Sequence, residues 1–386
     1  MKKTLLATAI AGALGASAAA QAATVYDQDG TQLIINGRIA LGISGGGEDD
    51  VQPGEPKAGG TEFRNIYSRL GISMSHDISR DLRAFGRVEW RFNGDERDRS
   101  GGFTEVRHSY IGLESQPFGT VMAGNFDSFF NSHVMAPFDV YIDRGLEFSK
   151  GGAGGDLQAR GDSIGYITPD LSGFQAFLMG KHYSGNDLAE IGEDRSSVIN
   201  LQGGVKYQWE GLRLAVGFAQ DRDDYALSGG ENRNPAATTP SSRHRYNGSD
   251  LRGADENIYG ATVSYAFNDQ FSARLGYETQ DSNDAALDAG GDIEQYSGYK
   301  TWGLGATYSL GQWAFNADVY RVRPDNEENR TAWAAGAYYK VSNNFDVFGE
   351  LHRADQGDVT VGTRDGFDVE DNDDNLYWLV GARYHF

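Results

Sequence analysis

Leu376-Tyr377-Trp378-Leu379-Val380-Gly381-Ala382-Arg383-Tyr384-His385-Phe386 ends the chain, and its alternation governs how the rest is read. Residues i and i+2 of a strand share a face. Leu376, Trp378, Val380, Ala382, Tyr384 and Phe386 therefore make one apolar side. Tyr377, Leu379, Gly381, Arg383 and His385 make a mixed one. The pattern recurs upstream. Leu212, Leu214, Val216 and Phe218 lie opposite Arg213, and Phe271, Ala273, Leu275 and Tyr277 lie opposite Arg274 and Glu278. Trp302, Leu304, Ala306 and Tyr308 repeat it again.

Working outward, sixteen segments of this kind fall at 33–43, 65–76, 82–92, 104–114, 118–124, 160–168, 173–182, 198–209, 212–220, 256–267, 270–280, 299–310, 312–323, 329–341, 344–354 and 374–386. Their connectors alternate in length. Glu210–Gly211, Asn268–Asp269 and Gly311 are short, whereas 44–64, 125–159, 221–255 and 355–373 are long. An even strand count with short turns on one side and long loops on the other is the outer-membrane barrel pattern. Hydrocarbon offers no partner to an unpaired backbone edge, so such a sheet must close on itself. The expected fold is all-β: a 16-stranded antiparallel transmembrane β-barrel forming one domain over residues 23–386.

Residues 1–22 read as a secretory leader. Lys2 and Lys3 precede the apolar run Leu5 to Leu14, and Ala20-Gln21-Ala22 supplies a small-x-small cleavage site. No other stretch approaches the ~20 consecutive apolar residues of a transmembrane helix. The mean hydropathy of -0.52 is that of a soluble chain. A barrel shows the same value, because its apolar stripe is diluted by alternation. The absence of cysteine removes disulfides, thiolate metal sites and thiol nucleophiles. A formal charge of -21 repels nucleic acid.

Several motifs resemble the general, non-specific trimeric porins of Gram-negative outer membranes. They are Val25-Tyr26-Asp27-Gln28-Asp29-Gly30-Thr31, Tyr67-Ser68-Arg69-Leu70-Gly71, Arg107-His108-Ser109-Tyr110-Ile111-Gly112-Leu113 and Phe118-Gly119-Thr120-Val121. The terminal Tyr384-His385-Phe386 is similar to the aromatic assembly signal of that family. The resemblance implies a water-filled channel for passive diffusion of small polar solutes and ions. It implies a homotrimer in which loop 93–103 reaches a neighbour. The further partners it implies are outer-membrane lipid, lipopolysaccharide and the barrel-assembly machinery. It also implies that the third long loop, 125–159, folds into the lumen, with acids on the loop and arginines on the facing wall. The matching acids are Asp143 and Glu147, on a loop that also brings Asp139 to the expected constriction, and the matching arginines are Arg38, Arg69, Arg107 and Arg160. The alternation agrees with this. Arg38 and Arg69 point away from Ile39, Leu41, Leu70 and Ile72, and Arg87 points away from Gly86 and Val88. An arginine facing lipid at mid-membrane costs about 2–4 kcal/mol, so these belong in the lumen.

Other motifs carry less. Gly151-Gly152-Ala153-Gly154-Gly155 lacks the Lys-Ser/Thr of a phosphate loop. Asp27-Gln28-Asp29-Gly30 lacks the later glutamate of a calcium loop and reads as a turn. The run Asp368 to Asp374 reads as a solvated acidic loop; weak Ca²⁺ binding is the only cofactor chemistry it admits. No histidine has metal-ligand spacing. A barrel phospholipase or protease needs a His placed with a nucleophile or paired acids, and nothing singles one out. A sugar-specific channel needs a row of lumenal aromatics, of which Tyr377 and Phe348 are the candidates. Acidic loops at the mouth against an arginine wall lead to an expected weak cation preference that fades with salt.

Overall fold

Backbone pairing runs in chain order around a closed, wholly antiparallel ring. The computed structural model describes residues 23–46, 61–95, 102–148, 161–183, 198–221, 256–280, 283–287, 293–296, 299–324, 329–353, 359–364, 367–371 and 376–386. The first strands are β1 (Ala23–Gln28), β2 (Thr31–Gly45), β3 (Thr61–Asn65), β4 (Arg69–Ser79), β5 (Leu82–Arg91), β6 (Glu105–Ser115) and β7 (Gly119–Asn125). β8 (Ser163–Ile167), β9 (Phe174–Tyr183), β10 (Val198–Trp209), β11 (Leu212–Asp221), β12 (Glu256–Ala266) and β13 (Phe271–Gln280) follow. A small hairpin, β14 (Asn283–Leu287) and β15 (Ile293–Tyr296), precedes β16 (Tyr299–Leu310), β17 (Trp313–Pro324), β18 (Arg330–Lys340) and β19 (Phe345–Arg353). A second hairpin, β20 (Val359–Arg364) and β21 (Phe367–Asp371), precedes the closing strand β22 (Tyr377–His385).

Eighteen of these segments form the ring and fill sixteen positions, because two pairs lie end to end. On one edge of β2, Arg38 to Gly45 pair with β22 and Thr31 to Ile35 pair with β1. The two chain ends therefore share one strand position. On the other edge, β3 pairs with Leu41 to Gly45 and β4 with Thr31 to Arg38. The alternation located all sixteen positions but not these details. The motif Asp27-Gln28-Asp29-Gly30 is a turn, with Asp29 and Gly30 at φ 51° and 72°, and β1 before it makes the turn a hairpin. Segment 65–76 is not one strand. It breaks at Ile66–Ser68, where Tyr67 has φ 56° and the Ser68 hydroxyl accepts the Ala40 N–H at 3.0 Å. A side chain there replaces a ladder bond and frees Tyr67 to turn inward. Among the described residues the two small hairpins pair only within themselves, inside the long connectors 281–298 and 355–373.

Which face is which follows from burial. Along β16, Thr301, Gly303, Gly305 and Thr307 are enclosed, while Trp302 and Leu304 between them are about half exposed. Exposed large apolar residues recur on most strands of the ring, Ile111, Ile164, Val216, Leu275 and Val319 among them; they are anomalous for a water-soluble wall and expected for one facing lipid. Aromatic pairs mark both rims. Tyr277 and Trp302 stack 4.3 Å apart towards the long loops. Trp313 contacts Phe315 and Tyr339 beside the short Gly311 turn. These are the interfacial belts of a membrane barrel.

Tyr384 and Phe386 stack on the outward face. The Phe386 backbone makes a reciprocal pair with Gly37: N–H to carbonyl at 3.1 Å one way and 2.8 Å the other. A side chain at residue 37 would meet the Phe386 ring at 2.6 Å. The last residue thus seals the β2–β22 seam from below. Deleting Phe386 is expected to slow barrel assembly while leaving export across the inner membrane intact, measured as the rate of appearance of the heat-modifiable folded form. Wild-type kinetics in the deletion would show that the seam closes without it.

Candidate functional site

Four arginines of the early strands converge on the inner wall. Glu89 of β5, almost wholly enclosed, accepts from Arg107 of β6 at 2.8 Å and from Arg87, and lies 3.7 Å from Arg69 of β4. Arg107 reaches this place through a β-bulge that turns both Arg107 and His108 inward, with Val106 still facing out. Arg107 also bonds Asp127 at 3.0 Å, and the His108 ring nitrogen Nε2 lies 3.1 Å from the same carboxylate. Arg38 donates only to the Tyr67 carbonyl, at 3.2 Å, and has no acid partner among the described residues. Arg160 lies outside the described residues, as do most of loop 93–103 and the leader.

Opposite these arginines runs segment 126–148, laid across the inner face of the wall. It opens with a short π-helical turn, Phe130–Met135, and a 3-10 turn, Ala136–Phe138. Its apolar side, Phe126, Phe129, Phe130, Val134, Met135, Phe138 and Phe148, is buried. The wall makes room with inward-facing glycines. A Cβ at Gly260 would come within 2.3 Å of Met135, at Gly276 within 2.6 Å of Phe138, and at Gly303 within 2.8 Å of Phe148. Register pairs Gly217 with Gly260 and Gly276 with Gly303, so four strands are stripped of side chains where the segment lies.

Polar fasteners complete the attachment. Gln202 of β10 accepts from the Ser128 hydroxyl at 2.6 Å and the Phe130 N–H at 3.1 Å. Thr262 of β12 donates to the Val134 carbonyl at 2.6 Å. Tyr141 donates to Asp318 of β17 at 2.6 Å and to the Ala334 carbonyl at 3.0 Å. Asp318 is itself held by Arg274 across Gly305, whose missing side chain lets the pair meet. Glu350 of β19 accepts the Ile142 and Asp143 N–H groups at 2.6 and 3.2 Å and the Tyr338 hydroxyl at 2.6 Å. Burial and the neighbouring Asp318 carboxylate push the Tyr141 phenol far above its ordinary range, so it stays a donor. On the underside, the His133 carbonyl accepts from Arg213 while Lys206 lies 3.5 Å from its ring. Burial and then these two cations hold the imidazole down at about 3, so it is neutral at pH 7.

The three acids named from the sequence are handled differently. Asp139 is exposed at the turn of the segment, and no ion pair involves it among the described residues. Enclosure by the barrel, and Asp127 beside it, push its carboxyl above the usual range; Arg107, Arg38 and Arg69 pull it back. Asp143 is tied off by Arg64 at 3.3 Å, the Tyr67 hydroxyl at 3.1 Å and the Tyr377 hydroxyl. Glu147 does not face the arginine wall of β2–β6. It is buried between Arg330 at 2.9 Å and His352 at 2.8 Å on the far side. The sequence reading missed Glu89, Asp127, Arg64 and Glu350. Glu89 shares parity with Arg87, which was the available signal; the others needed the fold.

Likeness to known proteins extends over the whole chain. The model of the Gram-negative porin family matches residues 7–386. A monosaccharide porin of Halomonas sp is 28% identical over the full chain and 91% of its own length. Among solved structures, the anion-selective porin from Comamonas acidovorans superposes with a TM-score of 0.66 at 17% identity, covering 92% of this chain and 100% of that one. The trimer form of Vibrio cholerae OmpT gives 0.59 at 17% identity, covering 93% and 100%.

The glycine strip yields a test. Gly276→Val or Gly303→Val should press on Phe138 and Phe148, destabilise the packed segment by about 1–3 kcal/mol, and lift it from the wall. The readouts are an altered single-channel conductance and faster proteolysis within 126–148 in a barrel that still shows heat-modifiable migration. An unchanged channel and unchanged proteolysis would mean that the segment does not depend on that strip.

Proposed function

The chain belongs to the Gram-negative porin family, and we propose that Arg38, Arg69, Arg87 and Arg107, set against Asp127 and Asp139, form the narrow point of its pore. The protein is an outer-membrane porin, a β-barrel whose water-filled lumen lets small hydrophilic solutes and ions diffuse passively. Passage down a gradient needs no catalytic group. What supports the proposed narrow point is the attachment of segment 126–148 by fasteners on β3, β10, β12, β17, β18, β19 and β22, together with the pull of Arg107, Arg38 and Arg69 on the Asp139 carboxyl. Opposed charges across a narrow, wet gap set a transverse field. The field orders water and disfavours apolar solutes.

A sugar-specific channel is the less favoured reading, although one relative bears the name monosaccharide porin. Tyr377 and Phe348, its candidate aromatics, are buried rather than presented to the lumen. Arginines cover both rings, Arg144 over Tyr377 at 4.1 Å and Arg383 over Phe348 at 5.6 Å. Conductance should therefore show no saturable block by added mono- or oligosaccharide; such a block would move the assignment to a specific channel.

Reversal potentials in a salt gradient test the assigned residues. The wild type should prefer cations weakly at low salt. Asp139→Asn should shift preference towards anions, and Arg69→Ala towards cations. Glu147→Gln should shift it least, since Arg330 already neutralises that carboxylate. Because Asp139 takes up its proton above the ordinary range of about 3.9, mild acidification should mimic Asp139→Asn in the wild type and act less on the variant. Equal shifts from Asp139→Asn and Glu147→Gln would place the narrow point elsewhere.

Assembly as a homotrimer completes the proposal. The outward side of β4–β7 carries an open hollow of about 680 Å³ lined almost entirely by apolar atoms, among them Met74, Ala84, Ile111, Leu113, Val121 and Ala123. A depression with small residues suits the wall of a second barrel better than fluid lipid chains. Unboiled protein should migrate as a trimer, and Ala84→Arg with Ala123→Arg should release folded monomer. Monomer migration of folded wild type would overturn the assembly.

A further inference from the structure

Beneath segment 126–148, on the side of the short turns, two cations converge with no acid between them. Lys206 of β10 shares its face with the buried Gln202, and Arg213 of β11 with the buried Ala215, so both point inward. Register sets Lys206 opposite Ala215 and Gln208 opposite Arg213, which makes the two cations diagonal neighbours on the wall. Arg213 stands two residues past the Glu210–Gly211 turn, roughly 6–7 Å along the strand. Short turns lie on the periplasmic side of such barrels. The pair therefore occupies the inner mouth, away from the arginines of β2–β6.

One residue of the segment holds both cations. The His133 carbonyl accepts from Arg213, and the His133 Nδ1 lies 3.5 Å from the Lys206 ammonium. The neutral ring is wedged between Phe129 and Phe177, with centroids 5.1 and 4.7 Å away. It fixes the cations with dipoles and adds no negative charge. Neither cation takes part in an ion pair among the described residues. Asp170, in the turn before β9, attracts Lys206 from beyond ion-pair distance, and its carboxylate is bonded to the Gly173 N–H. The register neighbours on this face, Gln175, Gln208 and Ser264, are uncharged. The Nη1 nitrogen of Arg213 is buried and has no hydrogen-bond partner among the described residues.

Like charges gathered on a half-buried wall repel, and an N–H left without an acceptor keeps its desolvation cost. What is unsatisfied here is a donor beside a second cation. The missing partner is therefore an acceptor, and a negatively charged one offsets the repulsion as well. We propose that Lys206 and Arg213, positioned by His133, form an oxyanion site at the inner mouth that takes phosphate, free or as the phosphate group of a small solute. A guanidinium presents planar N–H groups that match the oxygens of such a group, and the ammonium adds a point charge from a second direction. A monatomic anion such as chloride gains the charge but not the directional bonds. The site is distinct from the narrow point, and a solute that has passed Arg38 and Arg107 meets it before the periplasm.

The test is single-channel recording of the reconstituted protein in potassium chloride, with inorganic phosphate added to one side at constant ionic strength and glycerol phosphate as a second probe. Phosphate is expected to lower the conductance saturably, and at lower concentration from one side than from the other. Tighter block by glycerol phosphate would assign the site to phosphomonoesters, and tighter block by inorganic phosphate to the free ion. The double variant K206Q/R213Q should raise the half-blocking concentration on the order of 10-fold or more, the loss of two charge-assisted bonds. K206Q alone leaves the Arg213 bond to the segment intact and should fall between, which keeps the test informative if the double variant loosens the segment. Wild-type block in both variants, or the same fall in conductance with chloride in place of phosphate, would overturn the site. Block lost in Arg69→Ala but kept in K206Q/R213Q would put the anion at the narrow point instead. A channel that conducts but ignores phosphate loses only this inference, whereas a folded protein that does not conduct loses the porin assignment.

Discussion

A backbone amide in hydrocarbon has no water to turn to, and each one left unpaired costs several kcal/mol. That constraint organises this molecule. It forces the sheet to close, and closure requires that β2 meet β22 across the whole membrane. β2 runs the full length with 15 residues, but β22, with 9, does not reach far enough alone, so β1 extends the line of β22 and pairs with the lower half of β2. The same demand explains the break at Ile66–Ser68. Where the ladder is interrupted to admit Tyr67, the Ser68 hydroxyl and the Ile66 N–H take over both backbone groups of Ala40. An interruption of this kind is tolerable only because its backbone lines a wet lumen or is satisfied by the protein itself.

Closure also creates the interior that segment 126–148 must fit. A free loop in a water-filled hole would wander. This one is fixed by an apolar side pressed into a strip of glycines and by carboxylates and amides bonded to its backbone. The division of labour is physical. Burying the phenylalanines supplies most of the free energy, about 1.5–3 kcal/mol per fully buried large side chain. The bonds to Glu350 and Gln202 supply direction, since Glu350 accepts the Ile142 and Asp143 N–H groups and Gln202 the Phe130 N–H and Ser128 hydroxyl, each at a fixed position. Wall and loop are complementary in the negative sense as well: what the wall lacks at Gly260, Gly276 and Gly303 is what the loop carries.

The barrel was legible in the sequence because its signal is local. A period of two is visible within ten residues, and turn spacing adds the topology. Trp302 and Leu304 announce their face without any knowledge of their neighbours. Arg38, Arg69 and Arg87 are legible for the same reason, as cations on the side away from the apolar stripe. Glu147 was not, because its partners Arg330 and His352 stand about two hundred residues away and meet it only across a closed lumen. Arg107 is an intermediate case. Strict alternation through Ser109 and Ile111 would put it in lipid, and only the bulge at Val106 to His108 returns it to the interior. The glycine strip was visible as glycines but not as a strip, since its continuity runs across strands and not along them.

Charge is the property for which composition misleads most. The chain as a whole is strongly acidic, yet the described wall near Arg38 is basic: Arg69, Arg87 and Arg107 share one buried Glu89, and Arg38 has no acid of its own. Within the segment opposite, Asp143 and Glu147 are paired with other cations of the wall, Asp127 pairs with Arg107 at 3.0 Å, and Asp139 has no ion pair among the described residues. Two populations of charge thus act on a permeating ion at different depths. Those in solvent are damped over a Debye length of about 8 Å at physiological salt. Those in the lumen act where few waters intervene and are screened much less. Salt therefore weakens the field of the solvent-exposed charges more than that of the lumenal ones, without moving any atom of the pore.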